Sequence, residues 1–121
     1  MPLLKKILNS SPREVVIKWT GSGTDTVTLA SLVSDNQTLT GVLAPDVVIF
    51  AVYASLDNAG TCIISRNNEE TLHVSDNFIF QMDGNLKFII NENGGADINV
   101  SLATLGTLIL RLSKVTGYTG I

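Results

Sequence analysis

After residue 12 apolar and polar side chains alternate with a period of two, and the alternation is interrupted chiefly at Gly, Asn and Asp. A period of two marks strands, because successive side chains of an extended chain point to opposite faces. The pattern predicts strands over residues 13–20, 25–33, 47–55, 60–66, 70–74, 77–82, 86–90, 96–102 and 107–115. Between them, Asp57-Asn58-Ala59-Gly60, Asn67-Asn68, Asp83-Gly84 and Asn93-Gly94-Gly95 supply residues that accept left-handed backbone angles, so that consecutive strands can return as antiparallel hairpins from residue 47 onward. The expected fold is all-β: an antiparallel, jelly-roll-like β-sandwich over residues 13–121, preceded by a short N-terminal arm, residues 1–12.

The alternation also assigns faces. Leu108, Leu110 and Leu112 point inward while Thr107, Arg111 and Ser113 point to water; Leu72 and Val74 face in, which leaves Thr71, His73 and Ser75 outside. Residues 47–54 break the rule. Val47, Ile49, Ala51 and Tyr53 on one face and Val48, Phe50, Val52 and Ala54 on the other are all apolar, so both faces of this strand need cover, from a loop or from another chain. The N-terminus asks for a partner too. Leu3, Leu4, Ile7 and Leu8 recur at 3,4-spacing around Lys5 and Lys6, the pattern of a two-turn amphipathic helix. Isolated helices shorter than about 12 residues are marginal in water, so such an arm packs on its own sandwich or orders against a neighbour. Residues 20–46, polar and rich in Gly and Ser, read as one weak strand between long loops.

Composition sharpens this picture. The 121 residues make one domain, 45% apolar and 16% charged, against roughly 25% charged in an ordinary soluble domain. A mean hydropathy of +0.31 excludes intrinsic disorder. The longest apolar run, Val47 to Ala54, is far short of the ~18 residues of a membrane-spanning helix. Net charge is −3 and the pI about 4.9, but the charge is uneven. Residues 1–20 hold Lys5, Lys6, Arg13 and Lys18 against Glu14 alone, and the rest of the chain is acidic. The single cysteine, Cys62, excludes an internal disulfide, and with His73 it is too little for a structural zinc site. The first residues lack the apolar core of a secretory signal, so synthesis in a cytosol is expected.

Candidate chemistry is sparse. A relay of His73 with Ser75 or Cys62 and Asp76 is disfavoured, because residues two apart on a strand diverge outward instead of forming an oriented hydrogen bond. Cys62, mid-strand with Ile64 on its face, reads as a buried small hydrophobe. Glu69 and Glu70 sit at a hairpin tip that offers no enclosure to shift a pKa. Asp83-Gly84-Asn85 and residues 91–97 lack EF-hand spacing, and Gly21-Ser22-Gly23 opens no helix that would cradle phosphate. Trp19 beside Lys18 could stack a base, yet there is no basic stripe and the bulk charge is acidic; Trp19 is expected as a core or interface anchor. No catalytic residue, cofactor or metal ligand is expected, and neither nucleic acid nor a membrane as partner.

Residues 52–66 (Val-Tyr-Ala-Ser-Leu-Asp-Asn-Ala-Gly-Thr-Cys-Ile-Ile-Ser-Arg), the following Asn-Asn-Glu-Glu-Thr-Leu-His-Val, Gly106 to Leu112 and Lys114 to Tyr118 resemble small virion structural proteins of tailed bacteriophages, over roughly the C-terminal two-thirds of the chain. The resemblance implies a jelly-roll-like sandwich that decorates or cements the outer surface of an assembled capsid, made in the host cytoplasm and located on the virion. Its expected partners are the major capsid protein and further copies of itself, a trimer in preference to a dimer, with no enzymatic activity. Candidate contact residues are Leu3, Leu4, Lys5, Lys6, Ile7, Leu8, Arg13, Lys18, Trp19, Val47, Ile49 and Tyr53, the basic arm reaching onto an acidic shell. Deleting residues 1–10 is then expected to weaken capsid occupancy and leave the sandwich folded. The alternative is a tail or fibre adhesin, or a carbohydrate-binding sandwich using Trp19, Tyr53 and Tyr118 as its aromatic platform. An outer-membrane β-barrel is a weaker third reading, and an enzyme the least favoured.

Overall fold

The computed structural model describes residues 3–57, 60–75, 78–81 and 95–121, without the side chains of Phe78, Phe80 and Gln81. Seven strands are present among them: β1 (Leu4–Ser10), β2 (Glu14–Val27), β3 (Asp46–Leu56), β4 (Thr61–Arg66), β5 (Glu69–Ser75), β6 (Phe78–Gln81) and β7 (Ile98–Thr116), with one 3-10 turn at Leu29–Leu32. Every strand pairing is antiparallel. The pairs nest: β4 with β5, around them β3 with β6, and around those β2 with β7. This nesting is what makes the sandwich jelly-roll-like. Strands expected over 86–90 and turns expected at Asp83-Gly84 and Asn93-Gly94 lie outside the described residues.

The β2·β7 ribbon belongs to both walls of the sandwich. Residues 14–21 of β2 and 106–116 of β7 pair with each other and with β1 and β3, whereas residues 23–27 and 98–102 pair with each other and with β4. The register shifts between Gly21 and Gly23, whose φ angles of 109° and 131° few residues other than glycine adopt. Residues 21–23, expected as a loop, are therefore a bulge inside one strand. The two strands expected on either side of it are one up to Val27, after which the chain turns at Leu29–Leu32 instead of continuing extended to Val33. Likewise the strands expected over 96–102 and 107–115 fuse into the 19 residues of β7.

The interior follows the alternation. Val15, Ile17 and Trp19 of β2, Cys62 and Ile64 of β4, and Ile98, Val100, Leu102, Leu108, Leu110 and Leu112 of β7 are all at most 1% exposed and join one cluster. Trp19 is wholly inside, its indole N–H donating to Asp25 Oδ2 at 2.8 Å, which satisfies the single polar atom it buries. On β3 a register shift between Ile49 and Ala51 changes the phase, so that Val47, Ile49, Val52, Ala54 and Leu56 line the core. Tyr53 is thereby separated from Val47 and Ile49, with which strict alternation groups it. A second shift, at Ile64/Ser65 opposite β5, turns Thr71 inward, where its hydroxyl donates to Ile64 O at 2.9 Å; Leu72 and Val74 also face the core, and His73 is exposed as expected. Asn67 and Asn68, with φ of 54° and 62°, form the anticipated tight turn between β4 and β5.

The N-terminal segment is a strand, not a helix. Residues 4–10 pair along β2 from Leu4–Thr20 to Ser10–Val15, with a shift around Leu8. Four apolar residues in six positions fit a helix stripe, but two turns cannot pay for their own nucleation, whereas the open edge of β2 offers a ladder of hydrogen bonds at once. Residues 4–10 thus belong to the sandwich.

Candidate functional site

The pairing register builds one continuous row of side chains across five strands on the outward face of the larger wall: Lys6, Lys18, Ile109, Tyr53 and Ile79. The row changes character along its length. Lys6 and Lys18 form its cationic end, and Ile109, Tyr53 and Ile79 its apolar end, where an open groove of ≈ 370 Å³ is lined by Tyr53, Ala54, Ser55, Ile79, Thr107 and Ile109. Ile79 is 72% exposed and Leu4, beside the lysines, 55%. Water in contact with such a patch is released when a complementary surface covers it.

A second row lies next to it. Arg111 donates through Nε and Nη2 to Glu14 Oε1 at 3.1 and 2.8 Å, and its guanidinium sits 4.8 Å from the centre of the Phe50 ring. The Glu14 hydrogen bond, with further help from Glu14's charge and from Tyr53, raises the Arg111 pKa. Val48, Phe50, Arg13, Glu14 and Ser113 border an adjoining depression. Phe50, whose default place is the core, is the extra residue of the β3 bulge between Ile49 and Ala51 and lies half-buried on this outer face.

At one end of the sandwich the cations are inside. Arg66 is 0% exposed, its guanidinium donating to Ala96 O at 2.9 and 3.2 Å and to Val47 O at 2.8 Å. Burial lowers its pKa, opposed by the charges of Asp46 and Asp97. Lys114, 6% exposed, donates to Ser11 O at 2.8 Å and to Gln37 Oε1 at 2.6 Å; burial lowers its pKa. The Gln37 amide in turn donates to Pro12 O and Thr119 O, both at 2.8 Å. Tyr118 donates its phenol to Leu29 O at 2.6 Å, and burial pushes its pKa up to about 12. These groups tie the turn before β2, the segment after Leu29 and the last residues to β7. Each polar group is spent on a backbone or side-chain partner, which is the arrangement of a structural lock. Both cations have a sequence signal: Arg66 continues the parity of Cys62 and Ile64, and Lys114 that of Leu110 and Leu112.

The candidate contact residues fall into two sets. Lys5, Lys6, Leu4, Ile7, Leu8 and Arg13 are exposed, and Leu3, Lys18 and Tyr53 partly so; Lys6, Lys18 and Tyr53 share the row described above. Trp19, Val47 and Ile49 are 0% exposed, packed inside the chain's own core, and so are not contact residues. Sequence reasoning missed Ile79 and Ile109, which join the face only through cross-strand register. The Cys62 thiol is buried and its pKa pushed up to about 11, which makes it an inert packing group. Among the described residues no group of His, Cys, Asp and Glu is arranged to hold a metal ion, and no helix is long and apolar enough to cross a membrane.

No family model matches the sequence. No curated protein matches it either. Among solved structures the chain is similar to a cupin superfamily protein from Desulfitobacterium hafniense DCB-2, at 7% identity and a TM-score of 0.40, over 94% of this chain and 78% of that one.

Proposed function

We propose that this chain is a non-enzymatic decoration, or cement, protein that binds the outer surface of an assembled phage head and stabilises contacts between major capsid proteins. The observation that supports this reading is the outward row on the larger wall, with an apolar groove at Tyr53, Ile109 and Ile79 and a cationic end at Lys6 and Lys18. A half-apolar sheet face is released from water at low cost, and the lysines at its margin steer it toward an acidic surface. Binding only the intact lattice then stabilises that lattice by linkage, and many weak copies act together.

The test is co-sedimentation of the purified protein with undecorated heads of the phage that encodes it, followed by imaging of the decorated heads. Ile79→Asp combined with Tyr53→Ser should lower head occupancy at least about tenfold, the scale of a lost interface anchor, with the unfolding midpoint little changed. Occupancy equal to wild type overturns the assignment of this face. Reproducible binding to a glycan array with no binding to heads overturns the cement reading in favour of the adhesin.

A further inference from the structure

Among the described residues three strands have a neighbour on one side only: β1, beside β2, β5, beside β4, and β6, beside β3. A strand in that position presents a row of backbone N–H and C=O groups that another chain can pair with. β6, Phe78–Gln81, carries no charged residue, whereas β1 and β5 carry opposite charge. β1 bears Lys5 and Lys6, both exposed, with Lys18 directly across from Lys6 on β2. β5 begins with Glu69 and Glu70, both exposed.

We propose that copies of this chain join edge to edge, β1 of one copy lying beside β5 of the next. The charges select this pairing over the symmetric ones. β1 against β1 gathers the lysines of two copies on one seam, and β5 against β5 gathers four carboxylates; like charges placed across a ladder oppose pairing. β1 against β5 sets ammonium beside carboxylate. The faces also match. Lys6 lies opposite Lys18 on the outward face and Lys5 opposite the buried Trp19 on the inward one, while Glu70 lies opposite Ser65 and Glu69 opposite the buried Arg66. A parallel alignment that brings Lys6 to Glu70 therefore brings Lys5 to Glu69 in the same step, and the outward face of one copy continues into that of the next. A contact between two different edges repeats from copy to copy, closing as a ring or running on as a filament. Such assembly requires no capsid.

Native mass of the purified full chain should be a multiple of 12.9 kDa, falling toward the single-chain value as salt is raised. Lys5→Glu with Lys6→Glu should give a folded single chain, and so should Glu69→Lys with Glu70→Lys. Mixing those two variants should restore assemblies that contain both, because each then offers the edge the other has lost. The milder pair Lys6→Glu and Glu70→Lys repeats the mixing test if a double variant fails to fold. A wild-type chain that stays single at high concentration and low salt overturns the proposal. So does a multiple that survives either double reversal, or a pair of folded variants that stay single when mixed.

Discussion

Arg66, the last residue of β4, is 0% exposed and gives its guanidinium to two backbone carbonyls, whereas Arg111, on the outward face of β7, leaves 42% of its side chain to solvent and pairs with Glu14. The same functional group does two different jobs. Arg66 closes backbone groups at the end of the sandwich that would otherwise be buried without partners, so its worth is structural. Arg111 covers Phe50 and stays hydrated, so its contribution to the fold is small. A buried cation capped by carbonyls marks where the fold is locked, and an exposed one over an aromatic ring leaves its charge in water.

Three experiments test that contrast, beginning with the largest effect. Arg66→Ala should destabilise the protein by about 3–5 kcal/mol in urea unfolding, since it opens a cavity and leaves the carbonyls of Ala96 and Val47 unpaired. A loss no larger than that of a surface substitution would remove the distinction between the two arginines. Tyr118, at the same locked end, should set the alkaline limit. Its folded pKa, about 12, lies above the unfolded value of 10.0, so its contribution is fully present below pH 10 and lost as pH rises through 12. That contribution is about 2–3 kcal/mol, and Tyr118→Phe should flatten this part of the stability profile. Burial of Lys114 acts with the opposite sign, adding stability as pH rises toward 10.5, so the comparison must be wild type against Tyr118→Phe at each pH. The smallest effect on folding belongs to Arg111→Ala, which should move the unfolding midpoint least of the three and, under the proposed function, lower head occupancy. A large drop in stability would place Arg111 with Arg66.

Much of this architecture is legible in the residue pattern. Leu108, Leu110 and Leu112, the Asn67-Asn68 turn and the exposed His73 follow from alternation and turn chemistry alone, because each depends on neighbours in sequence. What the pattern hides depends on partners distant in sequence. Gly21-Ser22-Gly23 reads equally as a loop or a bulge until Gly106 is placed opposite it. One register shift after Ile49 puts Val47 and Ile49 indoors and Phe50 and Tyr53 outside, which removes two residues from the expected contact set. Leu4 to Leu8 are ambiguous between helix and strand until β2 supplies an edge. The outward row is a product of register in four ladders, so no local motif announces it. Lys5 and Lys6 also change meaning: as residues of β1 they cannot be deleted with the arm without opening the edge of β2, and charge reversal is the cleaner probe.

β7 runs through both walls and contributes to every layer of the interior, with Ile98 to Leu102 on one side of the glycine bend and Leu108 to Leu112 on the other. Neither wall retains a complete set of neighbours if the other comes apart, so the molecule melts as one cooperative unit. The chain must also hold its middle strands in place until nearly the last residues arrive to close the ladders, a non-local topology that makes folding slow relative to helical domains of this size.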